Sequence, residues 1–181
     1  MTHSERYNLA VINANKLPEV SSVVKKLAQN KPRYEAVTLS MANGCPWWFV
    51  GIIHFMEGGG KFTRHLHNGD PLSARTVNVP KGRPVIGNPP FSWEDSAIDA
   101  MRYMKYDKIK DWSIENCLNL FERYNGMGYK KKGVPSPYLW SYTDQYVKGK
   151  YEFDGKYNPE LVSKQPGVVA IMKALNIPDS I

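Results

Sequence analysis

Residues 45–57 read CPWWFVGIIHFME, and three glycines, 58–60, follow directly. The run is apolar around the whole helical circumference, which predicts a buried helix that begins at Pro46 and ends near Met56. Glu57 then falls at the end of this helix, where burying a carboxylate costs free energy unless the charge is compensated. The glycines end the helix and allow another backbone or a ligand to approach closely.

The chemistry that Glu57 offers follows from these expected surroundings. A partly desolvated carboxyl group has a raised pKa and holds a proton near neutral pH, as the general acid for glycosidic bond cleavage must. The alternative is a carboxylate that simply reaches water at the helix end. The helix dipole disfavours an acid there, and the nearest cation in the sequence is Lys61. We therefore predict that Glu57 is a catalytic acid.

Length and charge set bounds on the class of protein. A chain of 181 residues suits one domain, residues 1–181, with a substantial core. The net charge of +7 favours anionic polymers, among them nucleic acid, anionic lipid and bacterial wall. The basic residues are scattered apart from the lysines at 130–132, and no predicted helix carries the basic stripe of a groove-reading protein. Charge alone does not select among these polymers.

The two cysteines and the N-terminus bear on location. Cys45 and Cys117 both fall in apolar helical patterns, which indicates buried thiols rather than a disulfide framework. Residues 1–7 are polar and unlike a signal peptide. No stretch reaches 18 apolar residues, so we expect no transmembrane helix. If the substrate lies outside the membrane, another system must carry the protein there.

The rest of the chain is mostly helical in pattern. Besides residues 46–56, helices are predicted over residues 18–29, 34–43, 92–104, 113–124, 138–147 and 159–175. Ser92 should cap one helix and Asp111 or Ser113 another, and Pro166-Gly167 should kink or restart the last. Residues 61–91 are rich in glycine and proline and predict a long functional loop with a small hairpin near 75–79. The expected fold is therefore mainly α (α+β), with a small β-hairpin or loop.

Two side chains in the 61–91 segment are candidates for chemistry. Asp70, in the turn HLHNGDPL at 65–72, could position or activate a water opposite Glu57, and the alternative is a turn with an internally bonded Asp. Thr76 could hydrogen-bond a sugar or hold a water, although a strand threonine needs no such role. His67, in the same turn as Asp70, is a further candidate contact with substrate.

Other chemistries find little support in the sequence. Metal binding by His54, His65 and His67 is a weak alternative, because no further ligand spacing completes a zinc site. There is no Gly-x-Ser-x-Gly elbow for a nucleophile. The glycines at 58–60 follow a helix rather than open one, which is opposite to the geometry of a phosphate-binding loop.

A second candidate segment, YNGMGY, covers residues 124–129. Asn and Gly commonly end a helix and begin a turn, which is the simplest interpretation. As a functional segment, it would place Tyr124 and Asn125 in a groove that binds saccharide. The sequence leaves both interpretations open.

With these motifs in place, the chain resembles the lysozyme-like superfamily, in particular goose-type lysozymes and lytic transglycosylases, and phage endolysins that carry a His-Asn-Gly-Asp-Pro-Leu segment. In that superfamily an apolar helix ends in a catalytic Glu followed by Ser or Gly, as at Glu57-Gly58. A hairpin or loop then forms one wall of a cleft, and residues 61–91 stand in that position. Goose-type enzymes place supporting Asp residues in this region, and Asp70 resembles one of them.

Transglycosylases of the superfamily also carry a Tyr-Asn-x-Gly segment followed by a Tyr-rich helix. Residues 124–128 and 138–146 resemble a variant of that pattern. The resemblance therefore implies substrate contacts from Tyr124, Asn125 and Tyr146.

The resemblance implies a peptidoglycan-degrading enzyme that cleaves the β-1,4 bond between N-acetylmuramic acid and N-acetylglucosamine without a cofactor or metal. Glu57 would protonate the leaving oxygen. If Asp70 activates water from the other face, the product is inverted and the two carboxyl groups lie roughly 6.5–9.5 Å apart. Otherwise a lytic transglycosylase route follows, in which Glu57 acts first as acid and then as base.

The expected partner is peptidoglycan rather than nucleic acid, and the expected state is a monomer that reaches the wall after phage or host lysis. The alternative from another class is a non-catalytic module that binds wall glycan or nucleic acid through its aromatic and basic residues.

Overall fold

The computed structural model describes residues 1–153 and 155–178. Within these ranges the chain forms nine α-helices and one antiparallel sheet of two strands, so the prediction of a mainly α fold with a small β element is confirmed. None of the helices in this part of the chain is long and apolar enough to cross a membrane. The elements are α1 His3–Leu9, α2 Leu17–Gln29, α3 Lys31–Met41, α4 Trp47–Gly58, α5 Trp93–Tyr103, α6 Ile114–Asn125, α7 Gly128–Lys132, α8 Pro137–Trp140, β1 Lys150–Phe153, β2 Lys156–Asn158 and α9 Val168–Ala174.

The chain divides into two compact units. The terminal unit comprises Met1–Lys26 and Ser113–Ile181, and the central unit comprises Leu27–Trp112. Each unit has buried apolar side chains of its own. The expectation of a single domain over residues 1–181 stays a prediction.

The core of the central unit forms around α4. Residues 48–54 of this helix are all buried, as the apolar run predicts. Pro46 caps the helix instead of opening it, and α4 continues to Gly58, two residues beyond the predicted end. Gly51 lets α3 pack closely, because a Cβ at this position would lie 3.2 Å from the ring of Tyr34. Gly59 adopts a left-handed conformation, its N–H donates to the carbonyl of Phe55 and the N–H of Gly60 donates to the carbonyl of His54, which ends the helix.

Residues 61–91 form a long loop, as expected, but the predicted hairpin near 75–79 is wrong. This segment contains no strand, only an isolated bridge between Arg64 and Pro71. The backbone N–H of Thr76 donates to the carbonyl of Arg83, and the N–H of Asn78 donates to a side chain. Because these donors are used within the loop, the alternating pattern does not pair with a second strand.

The terminal unit packs α1 and α8 on α6, and α9 on α8. Helix α1, absent from the sequence prediction, begins with a capping box in which the Thr2 and Glu5 side chains bond each other's backbone N–H groups. Helix α6 is capped by Ser113, one of the two residues proposed for that role.

Two predicted helices of the terminal unit are much shorter than expected. The helix proposed for 138–147 ends at Trp140, because the next residues pair with an early segment: Tyr142 accepts from the N–H of Asn13, and Asp144 donates to the carbonyl of Val11. The helix proposed for 159–175 begins only at Val168, after Gly167 as N-cap. Between these two segments the chain forms the unpredicted hairpin of β1 and β2, which pairs Lys150 with Asn158 and Tyr151 with Tyr157.

Candidate functional site

Glu57 lies in the last turn of α4, one residue before the helix ends. Its side chain is exposed, so the expected partial desolvation of this carboxyl group is wrong. The residues from Trp48 to His54, immediately before it, are buried. The core therefore holds the backbone that carries Glu57, while the carboxyl group stays accessible to a ligand.

His54, one turn before Glu57, anchors the end of α4. Its Nδ1 lies 3.1 Å from the hydroxyl of Tyr34, and its ring packs against Phe62 and Trp93 with centroid distances of 4.6 and 4.5 Å. Burial lowers the pKa of His54 to about 4 and raises the pKa of Tyr34 to about 12. Both rings are therefore neutral at physiological pH and serve to pack the helix end.

The turn at 65–72 folds around the carboxylate of Asp70, which is 8% exposed. Oδ2 accepts hydrogen bonds from the backbone N–H groups of Val77 and Asn78 at 2.8 and 3.0 Å, and Oδ1 accepts one from the Asn78 side chain at 2.6 Å. These donors, the Asn78 N–H first, hold the pKa of Asp70 below its usual 3.8. Because a lower pKa makes a weaker base, Asp70 is suited to holding the loop together and not to activating a water.

Asp70→Asn should lower the melting temperature, because the amide replaces one accepting oxygen with an NH2 group, which cannot accept hydrogen bonds from the N–H donors that it would face. The effect should depend on pH. Since the folded-state pKa lies below the unfolded value of 3.8, ionised Asp70 stabilises the fold above that pH, and this stabilisation is lost as the pH falls through the folded-state pKa. Calorimetry from near neutral pH downwards should show the wild-type–variant difference shrinking below about pH 4. A difference that stays constant would contradict this assignment.

Thr76, also proposed as a substrate contact, is 2% exposed. Its hydroxyl donates to the carbonyl of Pro80 and accepts the N–H of Arg83, the latter at 2.9 Å. Both hydrogen-bonding functions of the hydroxyl are used inside the loop. The expected contact with a sugar is therefore replaced by a structural role.

Thr76→Val should reduce the free energy of unfolding by about 1–3 kcal/mol, because the isosteric side chain leaves the carbonyl of Pro80 and the N–H of Arg83 without their partner. Thr76→Ser, which keeps the hydroxyl, should cost clearly less. Urea denaturation of both variants measures the difference. If Thr76→Val lost wall binding at unchanged stability, the sugar contact would be right and the structural role wrong.

His67 is buried and lies against α5. Its Nε2 is 2.7 Å from Oδ2 of Asp99, and Arg83 donates to both oxygens of the same carboxylate at 2.9 and 2.8 Å. Burial lowers the pKa of His67, while the hydrogen bond to Asp99 opposes that shift. His67 thus connects the loop to α5 and does not present its ring to a substrate.

The histidines considered as a metal set have separate partners. His54 bonds Tyr34 and His67 bonds Asp99, whereas His65 lies 2.6 Å from the Ser96 hydroxyl through Nδ1 and 2.8 Å from a backbone carbonyl through Nε2. Across residues 1–153 and 155–178, no three His, Cys, Asp or Glu side chains are grouped to hold a metal ion.

The terminal unit contains a groove of about 510 Å³ between two elements, and this groove includes the second candidate segment. The turn from α6 to α7 forms one side, and the β1–β2 hairpin forms the other. Asn125 lines the groove, whereas Tyr124 is half-buried on α6. We call this feature the hairpin groove; its lining residues are Asn125, Gly126, Gly128, Tyr129, Lys150, Tyr151, Phe153 and Gly155.

Tyr146, implied as a substrate contact by the resemblance, is buried beneath the start of the hairpin. Its hydroxyl donates to the carbonyl of Gly149 at 3.2 Å and accepts the N–H of Ser163 at 3.1 Å. Burial raises the pKa of this hydroxyl. Tyr146 therefore supports the base of the hairpin from inside and does not face the groove.

Three groove residues, Lys150, Tyr151 and Phe153, escaped the sequence analysis. A signal for them exists. The residues around 150–158 alternate between aromatic and polar types, and the Asp-Gly pair at 154–155 is a common hairpin turn.

Comparison with known proteins does not assign this chain to a family. No family model matches the chain, and neither the curated proteins nor the solved structures contain a match.

Proposed function

We propose that this chain cleaves the glycan of bacterial peptidoglycan, with Glu57 as the general acid. The observation that carries the proposal is an exposed carboxyl group on the last turn of a buried helix. A polymer can reach such a group, and the buried turns behind it keep its backbone in place. A bound glycan would also displace water from the carboxyl group, which supplies the desolvation that general-acid chemistry needs.

The behaviour of Asp70 favours one of the two possible routes. Its oxygens accept three hydrogen bonds within the loop, and its pKa is lowered, so it is poorly suited to activate a water. We therefore favour the lytic transglycosylase route, in which Glu57 first protonates the leaving oxygen and then, as a carboxylate, takes the proton of the muramic 6-hydroxyl while that oxygen closes an anhydro ring.

The charge of the protein and the hairpin groove also support a wall polymer as substrate. The net charge of +7 concentrates the protein on an anionic polymer. The groove offers aromatic rings and the polar side chain of Asn125, which suit the faces and hydroxyl groups of sugars. Peptidoglycan lies outside the membrane, so the proposal requires release of the protein to the wall, as lysis of the host cell would provide.

A second candidate is a module that binds wall glycan without cleaving it. The lining of the hairpin groove favours this alternative, because its aromatic and basic side chains can bind a glycan without taking part in cleavage.

Incubation with purified sacculi, followed by mass spectrometry of the soluble fraction, distinguishes these functions. Anhydro-muropeptides would support the transglycosylase route, and new reducing ends would support hydrolysis. Sedimentation of the protein with sacculi and no soluble products would favour the binding module.

A further inference from the structure

The hairpin groove has a preformed wall. The hydroxyl of Tyr129 accepts the backbone N–H of Tyr151 at 3.0 Å, which ties the hairpin to α7. The rings of Tyr129 and Tyr151 meet edge to face at 5.0 Å, and Tyr157 packs against Tyr151 at 5.4 Å. At Gly128 a Cβ would lie 3.3 Å from the Tyr151 ring, so the absence of a side chain allows this close approach. The groove therefore exists before any ligand binds.

An exposed aromatic ring lies at the edge of this groove. Phe153 is 63% exposed, and the ammonium group of Lys156 lies 5.3 Å from its ring centroid. An exposed phenylalanine is costly in water and offers a flat apolar face, which is the surface on which a sugar ring packs. The groove volume of about 510 Å³ falls in the range of small-ligand sites, ~300–1,000 Å³.

The charge in the groove comes from Lys150. The neighbouring lysines have acidic partners: Lys148 pairs with Glu160 at 2.6 Å, and Lys156 pairs with Glu152 at 2.9 Å. Within the described ranges Lys150 has no ion pair, and none of the described lining residues is acidic. A half-buried ammonium group that has no ion pair with a described residue, and that lies beside aromatic rings, attracts an anion.

We propose that the hairpin groove binds a carboxylate-bearing unit of the glycan, with the carboxylate on Lys150 and a sugar ring against Phe153. The inference rests on the proposed function for its substrate class and deepens it. A glycan that carries carboxylates, as peptidoglycan does on its peptide stems, is preferred over neutral chitin with the same β-1,4 linkage. A nucleic acid is less suited, because it needs a row of cations along its backbone, and the described lining of this groove contains one lysine.

The test is binding to insoluble polymers by co-sedimentation, with Glu57→Gln as the parent so that sacculi stay intact. Lys150→Gln should weaken binding to sacculi about 3- to 5-fold, which is the upper end of the scale for one partly exposed ion pair. Binding to chitin should be unchanged. Lys150→Arg should restore binding to sacculi. Lys148→Gln, which removes a neighbouring lysine outside the groove lining, should change binding less than about 2-fold.

Three results would overturn the inference. In the first, Lys150→Gln and Lys148→Gln weaken binding equally. In the second, Lys150→Gln reduces binding to chitin as much as binding to sacculi. In the third, a single-stranded oligonucleotide binds more tightly than sacculi through Lys150. Circular dichroism of each variant separates these results from loss of the fold. If wild type releases no products while Lys150-dependent binding persists, the cleavage proposal is wrong and the groove proposal holds. If wild type releases products and Lys150→Gln has no effect on binding, the cleavage proposal holds and the groove proposal is wrong.

Discussion

The Glu57→Gln variant is expected to cleave peptidoglycan about 10²- to 10⁴-fold more slowly than wild type, because a general acid usually contributes a factor of this size to the rate. Glutamine has nearly the shape of glutamate and cannot protonate the leaving oxygen. The residues from Trp48 to His54 are buried and Glu57 is exposed, so the exchange should leave α4 and its core packing intact. Initial rates of release of soluble muropeptides measure the loss.

A matched control is available on the neighbouring helix. Glu35 lies on α3, is partly exposed and pairs with Lys31 at 3.5 Å, so Glu35→Gln makes the same chemical change on the surface of the central unit. It should retain nearly full activity and an unchanged melting temperature. Retention of cleavage by Glu57→Gln would remove Glu57 from the mechanism. Loss in both variants would indicate an effect of charge and not of proton donation.

Gly167→Ala is expected to give the largest loss of stability, about 3 kcal/mol in the free energy of unfolding, or roughly 6–12 °C in melting temperature. A Cβ at Gly167 would lie 2.6 Å from the carbonyl oxygen of Leu139 and 2.7 Å from the backbone nitrogen of Ser141. Both atoms belong to the backbone at the end of α8, so a side-chain rearrangement cannot relieve the contact. The N–H of Gly167 also donates to the carbonyl of Ser141 at 2.9 Å, and a shift of the Gly167 backbone away from α8 would strain this hydrogen bond.

Gly133→Ala provides the comparison. Gly133 has a φ of +71°, and a Cβ there would meet no atom within 4 Å. Its cost is limited to left-handed backbone strain, about 1–2 kcal/mol. Urea denaturation of the two variants should therefore separate steric conflict from backbone strain. Equal losses would show that the approach of Gly167 to α8 is not as close as described.

How well the sequence predicts an element depends on whether its signal is local. The apolar run of α4 and the Ser92 cap of α5 lie within a single stretch of chain, and both are found as expected. The helix proposed for 138–147 fails because residues 142–144 bond with residues 11–13, far away in sequence. Helix α9 begins at Val168, directly after the Pro166-Gly167 pair at which a restart was expected, whereas the close approach of Gly167 to the backbone of α8 is a tertiary contact that no periodicity encodes.

The candidate site shows the same limit for side chains. Asp70, Thr76 and His67 stand out in the sequence because they are polar residues in a long loop, yet each forms hydrogen bonds inside the central unit. A sequence lists the donors and acceptors but not their partners, so it cannot separate a residue that builds a loop from one that contacts substrate. Asn125, a candidate from the resemblance, lines the hairpin groove, and its contact with a saccharide stays a prediction.

Cys45 and Cys117 are both buried as thiols, Cys45 in the central unit and Cys117 in the terminal unit. The fold therefore does not depend on the redox state of its surroundings, and the same structure is compatible with a reducing cell interior and an oxidising exterior. Because a thiol must reach solvent before an alkylating reagent can modify it, the two side chains also give each unit its own internal reporter of transient opening.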